Sequence, residues 1–563
     1  MTQRVVAYEV LSSPPDPTVC IQDSTGGYVI SSDPIELLTF LRYKQSSVLR
    51  VFWDLDESLS HIFRRMPLPV LMSLANFDEN CQLGEHQLYY LPARSFRVGR
   101  ARFYGIREFW PTDYPEPATL SEVQSHAEEL LSTLSQCGMP DPIKLTSPIA
   151  IFEGTKRGQE TYDTVPKGYA LPRPVWEALE YAYKADRREW ITAYQIGHWS
   201  GVDNSELKCY NSVGNGAGNP ITNKVSAESG TPSDAIWDYD NSSCYPSIAA
   251  DLLDIRDMDA WKSSTYGSRE RGAYYGVLRG HLYLDPNHPL IHCSPIMTDL
   301  ERMPGNPAGD FGDDYPITLD EVRFVNRYGM GEFRIESGWF FRPSNGVRPR
   351  RPFYDIMHYL YDQRGISPLA SSVMKGVANQ LIGKLIETKV TGDYGDLRND
   401  LYHAIILAKA RVKVAEFLVN NDVANIELVA VQTDGCRLSK YVPVYGSGMG
   451  SWRCNGSQPT IVASPYKVYT AGKKPGHLTY DMITEMVQEH PLSSYYGRMV
   501  KHRTTLKQAL QQGDLTLVGN LDDLPAHIDL NTLQREQNRN FPRLPRTGQS
   551  LLSNRYQSSP VVL

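Results

Sequence analysis

The sequence has little of what marks secreted, zinc-binding or membrane-spanning proteins. Its eight cysteines are scattered over 563 residues and form no CxxC pair, which argues against a zinc site or a small disulfide framework and favours a reducing compartment. No run approaches the ~18 apolar residues of a membrane span, and the opening MTQRVVAYEV lacks the blocks of a signal peptide. We therefore expect a soluble cytoplasmic protein that is not secreted and has no membrane partner.

An excess of positive charge is also absent. The net charge of −7 and the pI near 6.0 argue against a surface that binds nucleic acid everywhere. Any DNA binding must therefore be local. Basic clusters occur in RPRRPF, AGKKPGH, GRMVKHR and REQNRNFPRLPR, and each is equally well explained as a solvated surface patch. The hydrophobic and charged contents of 41% and 21% are ordinary for globular chains, and the length predicts about three to four domains.

The hydrophobic patterns predict a mixed α/β protein. Strand-like RVVAYEVL and SVLRVFWDL alternate with helical DPIELLTFLRYKQ and LSEVQSHAEELLSTLSQCG near the N-terminus. A region rich in Gly, Asn, Ser and Pro follows at about 208–233 and predicts a long loop. Residues 260–350 have little helical period and predict a β-containing insertion. Three helical blocks follow, FYDIMHYLYDQRG, PLASSVMKGVANQLIGKLIETK and DLYHAIILAKARVKVAEFLVNN.

Two predicted strands end in aspartate. AIWDYD alternates into Asp240, after which NSSCYP breaks the strand and SIAADLLD begins a helix, while IELVAVQTDGCRLSK predicts a hairpin with Asp434 in its turn. A helix with Lys375 and Asn379 lies between them in sequence. Two carboxylates can hold divalent ions about 3.5–4 Å apart, and a lysine can neutralise a triphosphate. The set therefore indicates phosphoryl transfer, although a lone Asp-Gly turn more often has only a structural role.

The order of these motifs resembles that of the B-family DNA polymerases, most closely the protein-primed branch of phages and linear plasmids. DNSSCYPSI is similar to motif A (DxxSLYPS), KGVANQLIGK to motif B (KxxxNSxYG) and AVQTDG to motif C (YxDTDS). YKVY is similar to the KxY motif, and AYQIGHW is a weaker likeness of the YxGG linker motif. One such match is weak, but five occur here in the family's order.

The resemblance implies a role for each matched residue. It implies that Tyr245 lies under the incoming sugar and excludes ribose, and that Arg364 contacts the triphosphate, although an exposed arginine at a helix end is an equal reading. The implied residues are Asp240 and Asp434 as catalytic metal ligands; Tyr245, Lys375, Asn379, Arg364, Ser243 and Cys244 at the nucleotide; and Lys467, Tyr469, Tyr194, Gly197 and Gly383 at the primer and DNA.

The same resemblance implies cofactors, partners and architecture. The cofactors are two Mg²⁺ or Mn²⁺ ions with deoxynucleotides as substrates, and the partners are a DNA template and primer, a terminal priming protein and other replication proteins such as a single-stranded-DNA-binding protein. The location would be the host cytoplasm if the gene is viral. The fold would be a right-hand polymerase with palm, fingers and thumb, preceded by an RNase H-like exonuclease-type domain.

The expected domain boundaries follow the motifs. The segments are 1–195 for the exonuclease-like domain; 196–235 for the linker; 236–259 for the palm with motif A; 260–350 for a terminal-protein-region-like insertion and palm; 351–400 for the fingers; 401–480 for the palm with motif C and KxY; and 481–563 for the thumb and a C-terminal tail.

Several positions depart from the family pattern. Motif C has Gln432 in place of its first aspartate and Gly435 in place of serine, so the predicted site has one negative charge fewer. Motif B has Gln380 and Ile382 in place of serine and tyrosine, which removes a ring near the new base pair. Asp238 shares the strand face of Asp240, but it is more simply read as a strand-end acid.

The exonuclease acids are substituted as well. Ala7 stands where the family has the first acid of DxE, and Ser58 stands where a second metal-binding aspartate is expected. EVQSHAEELL lacks the YxxxD pattern of the third segment. A two-metal exonuclease needs several converging carboxylates, so we expect no proofreading.

Two other functions are compatible with these departures. One is a polymerase-like protein that has lost its chemistry and acts as a DNA-binding or assembly scaffold. The other is a nucleotidyltransferase with relaxed template or sugar choice. The leading prediction is a template-directed, protein-primed DNA polymerase that replicates a linear viral or plasmid genome.

Overall fold

A computed structural model provides the structure of this protein. The residues that it describes are 4–11, 18–42, 48–92, 94–111, 114–139, 145–167, 173, 208–210, 237–296, 309–313, 315–387, 395–424, 427–432, 434–457, 460–464, 467–470, 482, 485, 495–519, 521–529, 535–536 and 559–560.

The chain forms two compact units. Unit 1 consists of Met1–Thr161, Tyr359–Leu381 and Met499–Pro525, and unit 2 consists of Tyr162–His358, Ile382–Arg498 and Ala526–Leu563. Both contain helices and sheets, which confirms the predicted mixed α/β class. Within the described part of the chain, no helix is both long and apolar enough to cross a membrane.

The N-terminal part of unit 1 is built around an eight-stranded sheet. Its strands are Arg4–Leu11 (β1), Val19–Asp23 (β2), Tyr28–Ser31 (β3), Val48–Phe52 (β4), Gln82–Leu83 (β5), His86–Leu91 (β6), Ser95–Val98 (β7) and Ala101–Gly105 (β8). The helices are Pro34–Arg42 (α1), Leu55–Phe63 (α2), Leu68–Ala75 (α3), Leu120–Gln136 (α4), Pro148–Glu153 (α5) and Lys156–Thr164 (α6).

The sheet has the order β3-β2-β1-β4-β8-β7-β6-β5, and β4 pairs in parallel with both β1 and β8. Strand β4 has the sequence VLRVF and is almost entirely buried, as is usual for a parallel strand that is covered on both faces. Helix α4 begins at the cap residue Thr119, whose side chain accepts a hydrogen bond from the Glu122 amide. It matches the helix predicted there.

Later segments of the chain complete the core of unit 1. Leu506, Ala509 and Val518 are buried in the same apolar cluster as the residues of the N-terminal sheet. Arg64 of α2 donates a hydrogen bond from Nη1 to the carbonyl oxygen of Gly519 at 3.0 Å. The C-terminal region therefore contributes to folding of the N-terminal unit, a link that no local sequence pattern indicates.

The remaining strands belong mostly to unit 2. They are Lys208–Tyr210 (β9), Trp237–Asn241 (β10), Met258–Ser263 (β11), Tyr275–Leu284 (β12), Gly309–Asp310 (β13), Tyr315–Thr318 (β14), Gly331–Pro343 (β15), Leu428–Gln432 (β16), Gly435–Leu438 (β17), Trp452–Ser457 (β18), Thr460–Ser464 (β19), Lys467–Thr470 (β20), Tyr495–Arg503 (β21), Leu521–Asp529 (β22), Arg535–Glu536 (β23) and Ser559–Pro560 (β24).

The remaining helices include the three long blocks that the sequence predicts. They are Cys244–Ala250 (α7), Ser268–Arg271 (α8), Leu319–Tyr328 (α9), Tyr354–Gln363 (α10), Pro368–Gly383 (α11), Asp400–Asn420 (α12) and Leu506–Gln512 (α13).

The described residues of unit 2 form three sheets of three or more strands. A four-stranded sheet has the order β16-β17-β10-β18, and a three-stranded sheet has the order β20-β19-β9. A five-stranded sheet has the order β11-β15-β12-β13, with β14 also paired to β12. Helices α9 and α12 pack in the same buried cluster as the four-stranded sheet. Helix α12 has apolar residues around most of its circumference and is buried for most of its length, as expected of a central core helix.

Two local predictions need correction. The helix after the strand of Asp240 begins at Cys244 and ends at Ala250, earlier than the predicted SIAADLLD. Pro246 is tolerated in its first turn because amides there have no partner within the helix. Helix α9 was not predicted inside the β-rich insertion, although Thr318 and Glu321 form a capping box at its start.

Candidate active site

Asp240 and Asp434 lie close together at one end of the strands of the four-stranded sheet. Strands β10 and β17 pair antiparallel with Asp240 opposite Gly435, and the Asn241 amide donates a hydrogen bond to the carbonyl oxygen of Asp434 at 3.0 Å. Asp434 forms the tight turn between β16 and β17. Backbone hydrogen bonds therefore join the end of β10 to the β16–β17 turn, and these two segments carry Asp240 and Asp434.

The register also explains why position 435 is glycine. A Cβ atom at Gly435 would lie 2.6 Å from the carbonyl oxygen of Tyr239, which is much closer than a carbon and a backbone oxygen approach each other. Serine, which the polymerase motif carries there, would force the hairpin away from β10. The substitution therefore permits a close approach of the two backbones that carry Asp240 and Asp434.

Alternation along β10 separates a buried face from an open face. Tyr239 is fully buried, its ring centroid lies 5.6 Å from that of Phe417, and its hydroxyl accepts a hydrogen bond from the Val442 amide. Asp238 and Asp240 consequently share the opposite face. Apolar packing on one side thus fixes the direction in which both acids point.

The turn after Asp240 has a strained backbone. Ser243 has φ +52° and ψ +48°, the left-handed region that residues with a Cβ seldom adopt. It is followed directly by α7, which begins with Cys244 and Tyr245. Outliers of this kind occur more often at functional sites than elsewhere in folded proteins.

Cys244 is buried and Tyr245 is half-buried, and both lie close enough to the two aspartates to be influenced by their charges. Burial raises the pKa of the Cys244 thiol to about 12, and the nearby charges of Asp434 and Asp240 act in the same direction. Burial likewise raises the pKa of the Tyr245 phenol, with Asp434 as the next contributor. The Tyr245 hydroxyl is buried and has no hydrogen-bond partner among the residues that the structure describes. Both side chains are neutral at physiological pH.

A glycine-rich loop, Gly446–Ser451, packs against this turn. The Ser242 amide donates to the Ser451 carbonyl at 2.8 Å, the Gly450 amide donates to the Ser242 carbonyl at 2.6 Å, and Asn241 Nδ2 donates to the Gly450 carbonyl at 2.9 Å. Gly450 has φ +82°, and a Cβ there would lie 2.9 Å from the Cβ of Ser247. The loop therefore supports the turn at a distance that only glycine allows.

Two basic side chains lie at this site, Lys413 and Arg453, and the sequence motifs do not indicate either of them. Lys413 of α12 has its Nζ 3.4 Å from Ser247 Oγ. Arg453 of β18 lies opposite Asp240 and donates from Nη2 and Nε to Asp240 Oδ2, at 2.8 and 3.2 Å. The glycine spacing in GSGMGS could have drawn attention to the loop, but nothing local indicates that Arg453 faces Asp240.

Asp238 has its own partners on the open face. Arg437 of β17 lies opposite it in the register, with its Nε 3.9 Å from Asp238 Oδ1, and Asn455 Nδ2 of β18 donates to Asp238 Oδ2 at 3.3 Å. The open face therefore alternates acids on β10 with bases or amides on both neighbouring strands.

The predicted motif B residues lie on the helical pair α10 and α11. Lys375 and Asn379 are exposed on α11, four residues apart and thus on one face. Arg364 lies in the connection, where its Nε is 3.4 Å from Ser371 Oγ and its guanidinium is 5.5 Å from the Tyr361 ring centroid. Gly383 ends α11 in open space.

The same helical pair is tied to the N-terminal domain within unit 1. Gln380 Oε1 accepts a hydrogen bond from the Ile149 amide at 3.1 Å, and the Tyr359 hydroxyl donates to the Cys137 carbonyl at 2.6 Å. The Arg157 guanidinium lies 3.8 Å from the Tyr359 ring centroid, which is a cation–π contact. The substituted Gln380 thus has a structural partner.

Other predicted residues lie on strands or outside the described residues. Lys467 and Tyr469 lie on β20 and pair with Ser464 and Ile461 of β19. Gln432 ends β16 opposite Gly435, and Ile382 is buried near the end of α11. Tyr194 and Gly197 lie outside the described residues.

At the positions where the sequence predicts lost exonuclease acids, the side chains and the acids near them take part in packing and hydrogen bonding of the N-terminal domain. Ala7 is fully buried on β1, and Ser58 lies on α2. Asp54 caps α2 and bonds Arg107 at 3.1 Å, and Asp56 accepts a hydrogen bond from the Tyr90 hydroxyl. These two acids stabilise the helix and the sheet of the N-terminal domain.

Asp240 and Asp434 fit a divalent cation as a minimal ligand pair. Carboxylate oxygens suit Mg²⁺ and Mn²⁺, and Mg²⁺ commonly binds one or two carboxylates together with substrate phosphates. Among the residues that the structure describes, no group of three or more His, Cys, Asp or Glu is arranged to hold a metal ion. A cation at this pair would therefore depend on oxygens from a substrate.

Comparison with solved structures identifies a similar fold. Phi29 DNA polymerase in complex with primer-template DNA has a TM-score of 0.56 at 11% identity, over 94% of this chain and 100% of that chain. The same enzyme with primer-template DNA and incoming nucleotide gives a TM-score of 0.52 at 12% identity, over 94% and 100% of the two chains. In an orthorhombic crystal form it gives 0.56 at 12% identity, with the same coverage.

Comparisons of sequence gave no match. No protein-family model and no curated protein matches this chain. The structural similarity shows that the chain has a DNA-polymerase-like fold, which is the coarser part of what the motif order predicts.

Proposed function

We propose that this protein is a template-directed DNA polymerase of the protein-primed B-family type, which adds deoxynucleotides by two-metal phosphoryl transfer. The observation that carries the proposal is the backbone pairing that brings Asp240 and Asp434 together beside Tyr245, whose hydroxyl is buried. These residues are 194 positions apart in the chain (434 − 240 = 194), and each belongs to a separate polymerase-like motif. A DNA-polymerase-like fold supports the same conclusion.

In this proposal Asp240 and Asp434 hold two Mg²⁺ or Mn²⁺ ions. Bound ions would supply Lewis-acid stabilisation of the attacking and leaving oxygens. Tyr245 supports the sugar of the incoming nucleotide through its ring. Its neutral hydroxyl has no competing hydrogen bond among the described residues. The amides of Ser243 and Cys244 contribute hydrogen-bond donors to the triphosphate at the turn.

The helical pair α10 and α11 is assigned to the nucleotide. Lys375 and Asn379 are exposed on one face of α11, where an ammonium can neutralise phosphate charge and an amide can contact the nascent base pair. Arg364 is a further triphosphate ligand, and Gly383 allows the nascent pair to approach. Lys467 and Tyr469 are assigned to the primer end, and Tyr194 and Gly197 to primer and DNA binding.

The N-terminal domain acts in this proposal as a platform without proofreading. Ala7 and Ser58 supply no carboxylate for the metals of an exonuclease, and Asp54 and Asp56 are used in bonds that stabilise α2 and its contact with the sheet. Hydrogen bonds from this domain hold the helical pair that carries motif B. The domain thereby keeps a role in positioning the nucleotide-binding helices.

The partners follow from the protein-primed assignment. They are a DNA template and primer, a terminal protein whose hydroxyl accepts the first nucleotide, and further replication proteins such as a single-stranded-DNA-binding protein. The genome replicated would be a linear viral or plasmid DNA in the cytoplasm of the host.

Primer extension on a short recessed duplex with Mg²⁺ or Mn²⁺ tests the proposal. We expect templated extension by the intact protein and its loss in Asp240→Asn and Asp434→Asn, by about a thousandfold because several kcal/mol of transition-state stabilisation disappear. Asp238→Asn, on the same strand face as Asp240, is the matched control and should keep most activity. Gln432→Asp should raise activity by restoring a carboxylate to the hairpin.

One result would decide against this function. If the intact protein extends neither a DNA primer nor a candidate terminal protein with either metal, the polymerase proposal fails. Competition between deoxynucleotides and ribonucleotides in the same assay tests the choice of sugar. This choice is of interest because Gln380 and Ile382 replace the serine and tyrosine of motif B.

A second candidate is a polymerase-like scaffold that binds DNA without catalysis. The ion pair between Arg453 and Asp240 favours it, together with Gln432, because the two reduce the negative charge at the site. DNA binding that is unchanged in Asp240→Asn and Asp434→Asn, without extension by the intact protein, is the outcome that this second function requires.

A further inference from the structure

Among the residues that the structure describes, Arg453 forms the closest charged contact with Asp240. Its Nη2 and Nε donate to the same carboxylate oxygen, Asp240 Oδ2, at 2.8 and 3.2 Å. The side chain of Asp240 is 31% exposed and that of Arg453 is 52% exposed. The positive guanidinium therefore occupies a position next to Asp240 Oδ2 that a bound metal cation would otherwise take.

The strand register directs Arg453 to this position. Trp452 precedes it and stacks on Phe417 with ring centroids 4.0 Å apart, so that Trp452 faces the core. Alternation along β18 then turns Arg453 to the open face, and the pairing of β10 with β18 sets it directly opposite Asp240. Directly opposed residues of antiparallel strands have Cβ atoms about 4.5–5.5 Å apart.

We propose that Arg453 is the internal counter-ion of Asp240 and competes with divalent cations for this carboxylate. This inference rests on the proposed function, since it concerns the same metal-binding pair. A carboxylate oxygen that accepts two guanidinium hydrogen bonds has little capacity left for a metal ion. A cation must therefore either displace Arg453 from Oδ2 or bind Oδ1 beside the positive guanidinium. Either route raises the metal concentration needed to load the site.

The exposure of the pair makes this displacement feasible. Exposed ion pairs contribute about fivefold or less to an equilibrium constant, so a divalent cation with substrate phosphates can overcome the contact. Gln432 has already removed one carboxylate that the polymerase motif would supply. Arg453 then lowers the remaining negative charge of the site in the absence of metal, which makes loading depend on the incoming triphosphate.

Binding of Mn²⁺ measured by the electron paramagnetic resonance signal of the free ion tests this inference without any activity assay. We expect Arg453→Gln to lower the apparent Kd for Mn²⁺ about threefold to tenfold, from loss of the ion pair and of the nearby positive charge. Arg453→Lys, which keeps the charge without the paired donors, should show a smaller change. Circular dichroism and thermal unfolding verify that each variant is folded.

Arg327→Gln is a matched control. Arg327 forms an ion pair with Glu416 at 3.1 Å in the same unit, and its side chain is 63% exposed. We expect no change in Mn²⁺ affinity for this variant. A double-mutant cycle with Asp240→Asn gives specificity, because the effect of Arg453→Gln should disappear when Asp240 is already neutral.

The outcomes separate the inference from the proposed function. Unchanged or weaker Mn²⁺ binding in Arg453→Gln overturns the inference, and so does an effect of equal size in the Asp240→Asn background. Tighter binding that depends on Asp240, in a protein that extends no primer, supports the counter-ion role while the polymerase proposal fails. If the protein extends primers but Arg453→Gln leaves the Mn²⁺ affinity unchanged, the polymerase proposal stands and the counter-ion inference fails.

Discussion

Arg411 donates two hydrogen bonds to one oxygen of Glu321, from Nε at 3.0 Å and from Nη2 at 2.7 Å. Their side chains are only 1% and 3% exposed. The second oxygen of Glu321 accepts hydrogen bonds from the amide and hydroxyl of Thr318. The charge of Arg411 lowers the pKa of the nearby Tyr245 against the larger effect of burial. This pair thus joins α9 and α12 next to the candidate active site.

Loss of one partner in this pair should be strongly destabilising. Arg411→Met leaves a buried carboxylate without its cation, and we expect the free energy of unfolding to fall by about 3–5 kcal/mol. Urea denaturation measures the change. Arg327→Met is the matched control, because Arg327 pairs with Glu416 across the same two helices but at the surface, where a pair contributes about 0–1 kcal/mol. Equal losses in the two variants would contradict the buried role.

The glycine-rich loop allows the effects of a close contact and of backbone strain to be separated. Gly450 and Gly448 both have positive φ, at +82° and +113°, but only a Cβ at Gly450 meets other atoms, at 2.9 Å from Ser247 and 3.0 Å from Lys413 Nζ. We expect Gly448→Ala to cost about 1–2 kcal/mol from strain, and Gly450→Ala to cost clearly more. Urea unfolding of both variants tests this, and a smaller loss for Gly450→Ala would show that the turn is not tightly supported.

The hydrogen bond between Gln380 and Ile149 should stabilise α5 locally. In Gln380→Leu the Ile149 amide loses its acceptor, and we expect a cost of about 1 kcal/mol and faster hydrogen exchange at residues 149–153. Asn379→Ala, on the exposed face of the same helix, is the control for stability and should leave exchange unchanged. Protection of the Ile149 amide that survives Gln380→Leu would mean that another group accepts its bond.

The Cys244 thiol should be unreactive although it adjoins the candidate active site. Burial raises the pKa of this thiol from 9.0 to about 12. Between these two pH values the thiol stays protonated in the folded protein, whereas it ionises in the unfolded chain. Stability linked to this group is therefore complete below about pH 9 and declines as the pH rises through 9–12. We expect iodoacetamide near pH 8.5 to modify the partly exposed Cys20 and Cys454 but not Cys244.

Mass mapping of the alkylated peptides provides the measurement, with urea-unfolded protein as the positive control. Rapid labelling of Cys244 in the folded protein would show that the segment Ser243–Cys244 opens readily. That result would also weaken the assignment of the turn as a rigid donor set for a triphosphate.

Local patterns in the sequence determined most of the secondary structure that carries the candidate site. The alternation in AIWDYD gave β10, the Asp-Gly pair gave the turn after β16, and the helical periods gave α10, α11 and α12. These features depend on neighbouring residues, which is why periodicity predicts them. The DNA-polymerase-like fold, predicted from motif order, is supported at the coarse level by the structural comparison. The roles assigned to individual residues stay predictions.

Only the tertiary structure decided which distant residues meet. Arg453 reaches Asp240 across 213 positions, and Gln380 reaches Ile149 across 231. The close approach of Gly435 to Tyr239 is likewise a property of strand register. Register depends on how whole faces of β10, β17 and β18 pack against the helices below. A single arginine or glycine in the sequence contains no information about its partner until that packing is fixed.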